Sequence, residues 1–451
     1  MSKIVLVGAG GVIFSQNFMK DILLDEELRH YQLTLMDIDA GRLAHAATIG
    51  GLIAKKIGVE FHPETTTDLR QAVRGADYVI TIFRCGTIHH QELEYSIPMK
   101  YGVDQVVSDT LGPGGVFRGL RTLRDLFEVL DVMEEECPGA YLLNYVNPMS
   151  MNTIALSRRA KTVKVIGLCH SVQHTSKQIA DWLKVPYEKL HFFAAGVNHQ
   201  AFMLKLEADG RDLYPELKKC LDVPEIYKRD KVRFEIFRHF GYFPTESSGH
   251  GSEYIPYIRK RQDLIDKFCS NDFPKVEDGL DWNTMSSGVS GASVVLCKGL
   301  QVRNENDLKA YLSGTKEIDL TPSAEYGVQV IAAIEKNHSF TANLNVMNHG
   351  LMPSLPPECS VEVPCLVNGG GIFPCRIENY PEQLACLNRG MTNVQLMGAQ
   401  GALNCDRRAI FHAIAADPNT QSKLGLDEIQ AMTDELFEAL RSEIDPRFFR
   451  W

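Results

Sequence analysis

The fold of this chain is predicted by its first segment, which reads Lys3-Ile4-Val5-Leu6-Val7-Gly8-Ala9-Gly10-Gly11-Val12-Ile13-Phe14. The run Lys3–Val7 predicts a buried strand, and the glycines after it predict a tight turn into a helix that begins at about Ser15. Gly8 permits the turn, and Gly10 lets a pyrophosphate approach the backbone at the helix N-terminus. Ile13 replaces the third glycine of the dinucleotide-binding pattern. The segment predicts the first βα unit of a dinucleotide-binding domain.

Asp37 follows a second predicted strand, Leu33–Met36. A carboxylate at that position binds the ribose 2′-hydroxyl and disfavours a 2′-phosphate, so NAD is the expected cofactor rather than NADP. The alternative is a glycine-rich turn with a strand-end Asp in some other α/β protein. The predicted cofactor-binding residues are Gly8, Gly10, Gly11, Phe14 and Asp37.

Apolar runs alternate with helical patterns along the first half of the chain, as βαβ units do. The predicted fold is α/β: residues 1–195 form a Rossmann-type doubly wound parallel sheet, similar to that of lactate and malate dehydrogenases. Residues 196–451 are predicted to form a mixed α/β domain for substrate binding and oligomerisation. The further predicted strands are Tyr78–Phe83, Tyr141–Tyr145, Val163–Leu168, His191–Gly196 and Ala201–Glu207. The predicted helices are Leu43–Ile57, Leu120–Glu136, Ser323–Glu335 and Asp427–Ile444, and Asn393–Ala416 is predicted to be one or two helices. Ser286–Ser293 is predicted to be a mobile loop.

The composition limits the possible partners. The 451 residues carry a formal charge of −10, which argues against nucleic acid as a partner. No apolar run is long enough for a membrane span, and the first residues lack a signal-peptide core. The 11 cysteines are dispersed without a Cys-x-x-Cys pair, which is typical of reduced thiols. A cytoplasmic protein is therefore expected.

Candidate metal ligands follow two predicted strands. Cys169-His170 comes directly after Val163–Leu168, and Asn198-His199 follows the strand that begins at His191. Both pairs are expected at the carboxyl edge of the sheet, where open α/β sheets bind ligands. A thiolate and an imidazole form a donor set for a divalent metal, with positions left for substrate oxygens. The alternative is that these residues pack in the core or cap strand ends.

Three other segments carry candidate groups. Asn147-Pro148 ends a strand, and its amide can bind a substrate hydroxyl or close a simple turn. Asp109–Gly115 is glycine-rich and either covers the ligand or forms a rigid connection. Thr245–Tyr257 contains several candidates for a general base, although a polar surface loop has the same composition.

Together these residues resemble glycoside hydrolase family 4, and specifically its α-galactosidase (melibiase) branch. The most specific matches are Asn144-Tyr145-Val146-Asn147-Pro148-Met149 and Gly167-Leu168-Cys169-His170-Ser171-Val172. Further matches are Gly8–Phe14, Leu35–Asp39, Asp109–Gly115, Gly196–His199, Gly241–Tyr254 and Val361–Leu366. The resemblance covers nearly the whole chain.

The resemblance implies roles for the candidate residues. Cys169 and His199 would bind a divalent metal, usually Mn²⁺, Asn147 would hold a substrate hydroxyl, and Asp109 would be a second substrate-binding residue. His170 would be the general acid, and Tyr254 or His250 would be the base. Ser171 favours unphosphorylated α-galactosides over uronides.

The implied reaction is hydrolysis by transient oxidation. NAD⁺ takes a hydride from C3 of the sugar, a base removes the acidified C2 proton, and the glycosidic oxygen leaves. Water then adds and the hydride returns. The expected substrate is a small α-galactoside such as melibiose, and the expected assembly is a homodimer or homotetramer.

Three alternatives remain open from the sequence. The first is an α-galacturonidase or α-glucuronidase of the same family. The second is a 2-hydroxy-acid dehydrogenase, because Ser248-Gly249-His250-Gly251 has the look of its catalytic segment, although no Asp-x-x-Arg pattern accompanies it. The third is an NAD-binding sensor without catalytic activity.

Overall fold

Residues 2–270 and 282–450 are described by a computed structural model of the chain. Within them, thirteen strands form one sheet whose main path runs in the order β10-β8-β7-β12-β11-β6-β5-β4-β1-β2-β3, with β9 on β8 and β13 on β12. The strands are β1 (Lys3–Val7), β2 (Gln32–Met36), β3 (Glu64–Thr66), β4 (Tyr78–Thr81), β5 (Tyr141–Asn144), β6 (Lys164–Gly167), β7 (His191–Val197), β8 (Gln200–Ala208), β9 (Arg211–Asp212), β10 (Phe243–Pro244), β11 (Phe340–Met347), β12 (Ser360–Asn368) and β13 (Gly371–Pro374).

The first six strands are parallel and lie in the order β3-β2-β1-β4-β5-β6. This order is that of a doubly wound Rossmann sheet, so the predicted fold class is confirmed. All five residues of β1 are buried, because helices cover both faces. Ile4 and Leu6 enter the apolar core on one face, and Val5 and Val7 enter the core on the other.

The second half of the chain extends the same sheet with antiparallel strands. β11 joins the edge of β6 through Asn345 and Gly167, and β12 connects β11 to β7. The sequence analysis did not predict β11 and β12, although both are long and largely buried. The sheet therefore crosses the predicted boundary at residue 195 without interruption.

Nineteen α-helices lie within the described residues. They are α1 (Val12–Leu24), α2 (Ala40–Ile57), α3 (Leu69–Val73), α4 (Ile88–Lys100), α5 (Gly112–Glu136), α6 (Met149–Arg159), α7 (Ser171–Leu183), α8 (Tyr214–Lys219), α9 (Pro224–Tyr227), α10 (Lys231–Phe240), α11 (Ser248–Glu253), α12 (Gln262–Phe268), α13 (Trp282–Ser286), α14 (Ala292–Ser313), α15 (Gly327–Glu335), α16 (Glu382–Asn404), α17 (Arg407–Ala415), α18 (Pro418–Gln421) and α19 (Leu426–Ala439). None of the helices in this part of the chain is long and apolar enough to cross a membrane.

Helix α5 begins earlier than predicted. It begins at Gly112, inside the glycine-rich stretch, rather than at Leu120. A Cβ atom at Gly115 would lie 2.8 Å from the backbone of Thr110, so a residue without a side chain lets the preceding loop pack on the first turn. The stretch is therefore a buried loop followed by a helix start. The segment 393–416, predicted to be one or two helices, consists of two, α16 and α17, which are separated at Cys405 and Asp406; α16 begins earlier than predicted, at Glu382.

Candidate active site

The turn after β1 has the geometry that the glycine pattern predicts. The backbone N–H groups of Gly8 and Ala9 both donate to the carbonyl oxygen of Met36, at 2.9 Å. Gly8 has a φ of +93°, and a Cβ there would lie 2.5 Å from the Cβ of Phe83. Glycine is therefore required at position 8 for two reasons: the positive φ, and the close approach of Phe83, which follows β4.

Gly10 and Asp37 are in direct contact at the predicted dinucleotide site. The Gly10 N–H donates to Asp37 Oδ2 at 2.8 Å, which fixes the carboxylate at the carboxyl end of β2. A Cβ at Gly11 would make only an ordinary contact, 3.6 Å from the carbonyl oxygen of Gly8, so packing within the chain does not require this glycine. Gly11 is instead the N-cap of α1, where no side chain satisfies the first N–H groups. This turn can receive a pyrophosphate at the helix N-terminus.

An aromatic contact connects the dinucleotide turn to the end of β5. The rings of Phe14 and Tyr145 lie 6.3 Å apart, and the Tyr145 hydroxyl accepts a hydrogen bond from the Gly327 N–H at 2.9 Å. Tyr145 is two residues before Asn147. The predicted cofactor residues therefore lie beside the segment that carries the predicted substrate-binding amide.

Cys169 lies just after β6, and its backbone is held by Tyr326. The Tyr326 hydroxyl accepts from the Cys169 N–H at 3.1 Å and lies 2.8 Å from the carbonyl oxygens of Cys169 and Asn343. Burial raises the pKa of the Cys169 thiol to about 11. A nearby cation is therefore needed to hold this sulfur as a thiolate.

His199 occupies the two-residue turn between β7 and β8 and has a φ of +63°. Its Nδ1 lies 3.0 Å from Thr110 Oγ1, and its Nε2 lies 3.6 Å from Glu246 Oε2. Ser108 and Glu246 also have left-handed backbones, with φ of +57° and +70°. Non-glycine residues with strained backbones are found preferentially at functional sites, and these three residues lie in or next to the candidate site.

Cys169, His199 and Glu246 form a group of possible metal donors. One ligand atom from each lies within 4.8 Å of the others. A thiolate, an imidazole and a carboxylate suit a divalent transition metal, and three protein donors leave positions for substrate oxygens. The residues therefore fit the metal that the sequence predicts, and Glu246 is a third donor that the sequence analysis had considered only as a base.

Asp109, His199 and His250 form a second group with the same spacing, and it shares His199 with the first. His250 lies between two carboxylates, with Nδ1 3.2 Å from Glu246 Oε1 and Nε2 3.7 Å from Asp109 Oδ1. The Asn147 amide donates to Asp109 Oδ2 at 3.0 Å. The structure thus brings Asn147 and Asp109, which lie far apart in sequence, to the same place as His199 and His250.

The charge of Asp109 is stabilised despite its burial. Burial by itself raises the pKa of this carboxyl, but the charges of His250, Arg118 and His199 outweigh burial and lower the pKa below its usual value. Asp109 is therefore an anion that can accept hydrogen bonds from sugar hydroxyls. Arg118 was not identified from the sequence.

His170 lies at the N-cap of α7, next to Glu325. Its Nδ1 is 3.6 Å from Glu325 Oε1. Burial by itself lowers the pKa of His170, but the carboxylate of Glu325 and the neighbouring Cys169 raise it to about 9. His170 is therefore protonated at neutral pH, which is the state a general acid needs.

Tyr254 is buried beside the shared histidine. Its hydroxyl lies 3.5 Å from His199 Nδ1. Burial and the carboxylates of Asp109 and Glu253 raise the pKa of this phenol well above its usual value. Tyr254 therefore lies next to His199. Without a bound metal or cofactor its phenol is neutral at physiological pH and can only donate or accept a hydrogen bond.

Glu362 on β12 belongs to the stretch Val361–Leu366 that resembles the family, but the sequence analysis did not predict it as a site residue. It is fully buried, and neither oxygen has a hydrogen-bond partner among the described residues. Burial raises its pKa to about 8, opposed by the neighbouring His199 and Asn198. The Glu362 charge in turn raises the pKa of Cys169. At this pKa the side chain is mainly uncharged at neutral pH, and a nearby cation would be needed to hold it as a carboxylate, which is consistent with a site built around a cation.

Comparisons with known proteins agree with the Rossmann sheet and identify the family of the chain. The family model described as "Family 4 glycosyl hydrolase" matches residues 3–185, and the model of the C-terminal domain of the same family matches residues 194–420. The chain belongs to family 4 of the glycosyl hydrolases.

Individual relatives match over nearly the full length. An α-galactosidase of Bacillus subtilis (strain 168) is 36% identical, with 97% of this chain and 98% of the relative covered. An α-galacturonidase of Lachnoclostridium phytofermentans is 26% identical, with 98% of this chain and 96% of the relative covered. The crystal structure of a 6-phospho-α-glucosidase from gut microorganisms, in complex with NAD and Mn²⁺, is similar in fold, with a TM-score of 0.81, 18% identity, and 98% and 99% covered. As a family 4 glycosyl hydrolase the protein is an enzyme, so the dehydrogenase and sensor alternatives are not retained.

Proposed function

We propose that this chain hydrolyses small α-galactosides in a reaction that requires NAD and a divalent metal such as Mn²⁺. The observation that carries the proposal is the donor group of Cys169, His199 and Glu246 within 4.8 Å at the carboxyl edge of the sheet. The adjoining turn of Gly8, Gly10 and Asp37 has the geometry of a dinucleotide site. The similarity to an α-galactosidase at 36% identity supports the galactoside as substrate.

The chain would hold both groups with the residues already described. Gly8, Gly10, Gly11, Phe14 and Asp37 would bind NAD, and Cys169, His199 and Glu246 would bind the metal. When bound, NAD⁺ supplies a hydride acceptor and the metal supplies positive charge next to the sugar oxygens.

Asn147 and Asp109 would bind and orient the sugar. The two side chains are hydrogen-bonded at 3.0 Å, and the ionised Asp109 presents acceptors to hydroxyl groups. A charge-assisted hydrogen bond is about twice as strong as a neutral one, so this carboxylate is the stronger anchor of the pair. Both residues precede a buried segment of chain, which keeps their positions fixed.

His170 would donate a proton to the leaving oxygen. It is protonated at neutral pH because of Glu325, and it lies at the N-terminal end of α7 next to Cys169. An imidazolium at that position can protonate the glycosidic oxygen as the bond breaks. Glu325 then keeps the imidazole oriented and supports its charge.

His250 or Tyr254 would accept the C2 proton. Burial by itself lowers the pKa of His250, but the carboxylates of Glu246 and Asp109 raise it, so His250 must first lose its proton to act as a base. Tyr254 is a neutral phenol that becomes a base only if neighbouring positive charge lowers its pKa. Substituting each residue separately, as His250→Gln and Tyr254→Phe, distinguishes them. The variant of the true base loses turnover and also loses exchange of the C2 proton with solvent.

A uronide is the second candidate substrate, and one observation favours it. Arg118 is close enough to lower the pKa of Asp109 and, together with burial, that of Arg84. This positive charge near the sugar site could pair with a uronate carboxylate. The similarity to an α-galacturonidase at 26% identity has the same implication.

The test is a comparison of substrates under cofactor control. The protein is stripped of metal and dinucleotide, and is then assayed with an aryl α-galactoside and the matching α-galacturonide, with NAD⁺ and Mn²⁺ added singly and together. The proposal expects turnover of the galactoside only when both are present. If only the uronide is turned over, the proposed substrate is wrong but the proposed reaction stands. Equal galactoside turnover without NAD⁺ would refute the proposal.

A further inference from the structure

The loop before α5 is unusual because it is buried but has no regular structure. All residues from 103 to 111 are buried, including the polar side chains of Ser108, Asp109 and Thr110. A buried backbone N–H costs free energy unless it has a hydrogen-bond partner. Because the loop is itself part of neither a helix nor a sheet, its N–H groups must find hydrogen-bond partners on other segments of the chain.

Glu253, the last residue of α11, supplies three of these partners. Its carboxylate accepts hydrogen bonds from the N–H groups of Val106, Val107 (2.6 Å) and Ser108 (3.4 Å). The Glu253 side chain is itself buried, with a relative exposure of 2%. Successive backbone N–H groups that converge on one point make a site for an anion, and here the anion belongs to the chain itself.

The opposite side of the loop is fixed by α4 and α5. Ser108 Oγ donates to the carbonyl oxygen of Glu94 at 3.2 Å, and Ser108 has a left-handed backbone. A Cβ at Gly114 would overlap Ser108 Oγ, and one at Gly115 would contact the Thr110 backbone. The loop is therefore held between Glu253 and the first turn of α5.

The next two residues of the loop, Asp109 and Thr110, contact the candidate site. Asp109 contacts Asn147 and His250, and Thr110 Oγ1 lies 3.0 Å from His199 Nδ1. A shift of the backbone at Ser108 would move both side chains, because they follow it directly. Outer contacts of this kind orient metal ligands and substrate-binding groups.

We propose that Glu253 is a positioning residue for the reaction: by holding the N–H groups of residues 106–108, it places Asp109 against the substrate and Thr110 against the ligand His199. This inference rests on the proposed function, because it takes His199 as a metal ligand and Asp109 as a substrate-binding group. Glu253 itself contacts neither the metal donors nor the substrate-binding amide.

Three substitutions separate geometry from charge. Glu253→Gln keeps an oxygen that accepts from Val106 and Val107, whereas Glu253→Asp keeps the charge but withdraws it by one methylene. Glu253→Ala removes the acceptor altogether. If the hydrogen bonds position the loop, the Gln variant retains function and the Asp and Ala variants lose it. If only negative charge matters, the Asp variant is the better enzyme.

Glu134 provides a matched control at the opposite edge of the sheet. It also accepts hydrogen bonds from three successive N–H groups, those of Lys161 (2.7 Å), Thr162 (3.0 Å) and Val163 (3.1 Å). That segment precedes β6, whereas Cys169 follows it. Glu134→Ala therefore removes the same kind of contact without reaching the site.

The measurements are Mn²⁺ affinity by electron paramagnetic resonance, kcat and KM for the galactoside, and the melting temperature. We expect Glu253→Asp and Glu253→Ala to weaken Mn²⁺ binding by about 10-fold or more and to lower kcat by about 100-fold. Glu253→Gln should stay within about threefold of the wild type in Mn²⁺ affinity. Glu134→Ala should lower only the melting temperature.

Two results would overturn the inference. One is equal Mn²⁺ affinity in the wild type and in Glu253→Asp, and the other is an equal loss of Mn²⁺ affinity in Glu134→Ala. If Glu253→Ala does not fold, the contrast between the Gln and Asp variants still decides. A wild type that binds Mn²⁺ but does not cleave galactosides would contradict the proposed function, while Mn²⁺ affinity would continue to test the role of Glu253.

Discussion

His170 and Glu325 form an ion pair between the two halves of the chain, with 3.6 Å between Nδ1 and Oε1. His170 follows β6, whereas Glu325 lies two residues before α15. The pair keeps the imidazole charged, because the carboxylate raises its pKa to about 9. The first prediction therefore concerns His170 as a proton donor whose charge depends on Glu325.

Removing the charge of Glu325 should impair protonation of the leaving group. We expect Glu325→Gln to lower kcat about 10- to 100-fold for a galactoside with a sugar leaving group, because general acids contribute factors of that order or more. A 4-nitrophenyl galactoside should lose much less, since nitrophenolate leaves without a proton. Steady-state kinetics on both substrates checks this.

Glu335 at the other end of α15 is the control for that experiment. It hydrogen-bonds to Ser2, Tyr31 and Tyr78, and none of these residues belongs to the site. Glu335→Gln should leave kcat within about twofold on both substrates. An equal loss on both substrates in Glu325→Gln would contradict the assignment of His170 as the acid.

The donor group predicts which cysteine matters for metal binding. Cys169→Ser should weaken Mn²⁺ binding by about 100-fold or more, because the loss of a direct ligand exceeds the effect of an outer contact. Cys375→Ser is the control, since that thiol is exposed and is not part of the donor group. Calorimetric titration of the stripped protein measures both affinities. Equal affinity in the two variants would exclude Cys169 as a ligand.

The parts of the site that the sequence predicted are those encoded by local pattern. Gly8, Gly10 and Asp37 lie next to the strands that position them, so the strand pattern alone located the dinucleotide turn. Cys169 and His199 were found for the same reason, since each directly follows a strand. Sheet geometry then brings such strand ends to one edge.

The parts that were missed depend on contacts between distant segments. Glu362 lies in strand β12, within the stretch Val361–Leu366 that resembles the family, but its alternation with Val361 and Val363 is also that of a solvent-facing residue. Its position behind His199 follows only from the insertion of β11 and β12 between β6 and β7. Glu325 likewise reaches His170 through the packing of α15. Non-local strand pairing of this kind leaves no periodic signal in the sequence.

Asp37 should determine both the affinity for the dinucleotide and its type. Asp37→Ala removes the acceptor of the Gly10 N–H and the expected partner of the ribose hydroxyls. We expect the Kd for NAD to rise about 10-fold, which corresponds to about 1.4 kcal/mol, and the preference for NAD over NADP to shrink. Asp39→Asn is the control, because the Asp39 side chain caps α2 and an Asn side chain can keep that cap. Fluorescence titration with NADH and NADPH measures the effect, and an unchanged Kd for NADH would contradict the placement.

Glu134 should contribute stability that depends on pH. Its hydrogen bonds with residues 161–163 outweigh its partial burial and lower its pKa to about 2 from the usual 4.5. A lowered pKa means that the stabilisation is complete above about pH 4.5 and is lost as the pH falls toward 2. Glu134→Gln should therefore melt about 2 °C lower than the wild type near neutral pH, and the difference should narrow below about pH 4.5. A difference that does not change with pH would contradict this account.

The central claim is tested most directly by the fate of the C2 proton. The stripped protein is supplied with NAD⁺ and Mn²⁺ in D₂O, and the galactose released from an α-galactoside is examined by NMR. The proposed reaction predicts deuterium at C2 of the product and no turnover when either NAD⁺ or metal is omitted. Galactose released with protium at C2, by protein that is free of dinucleotide, would contradict it.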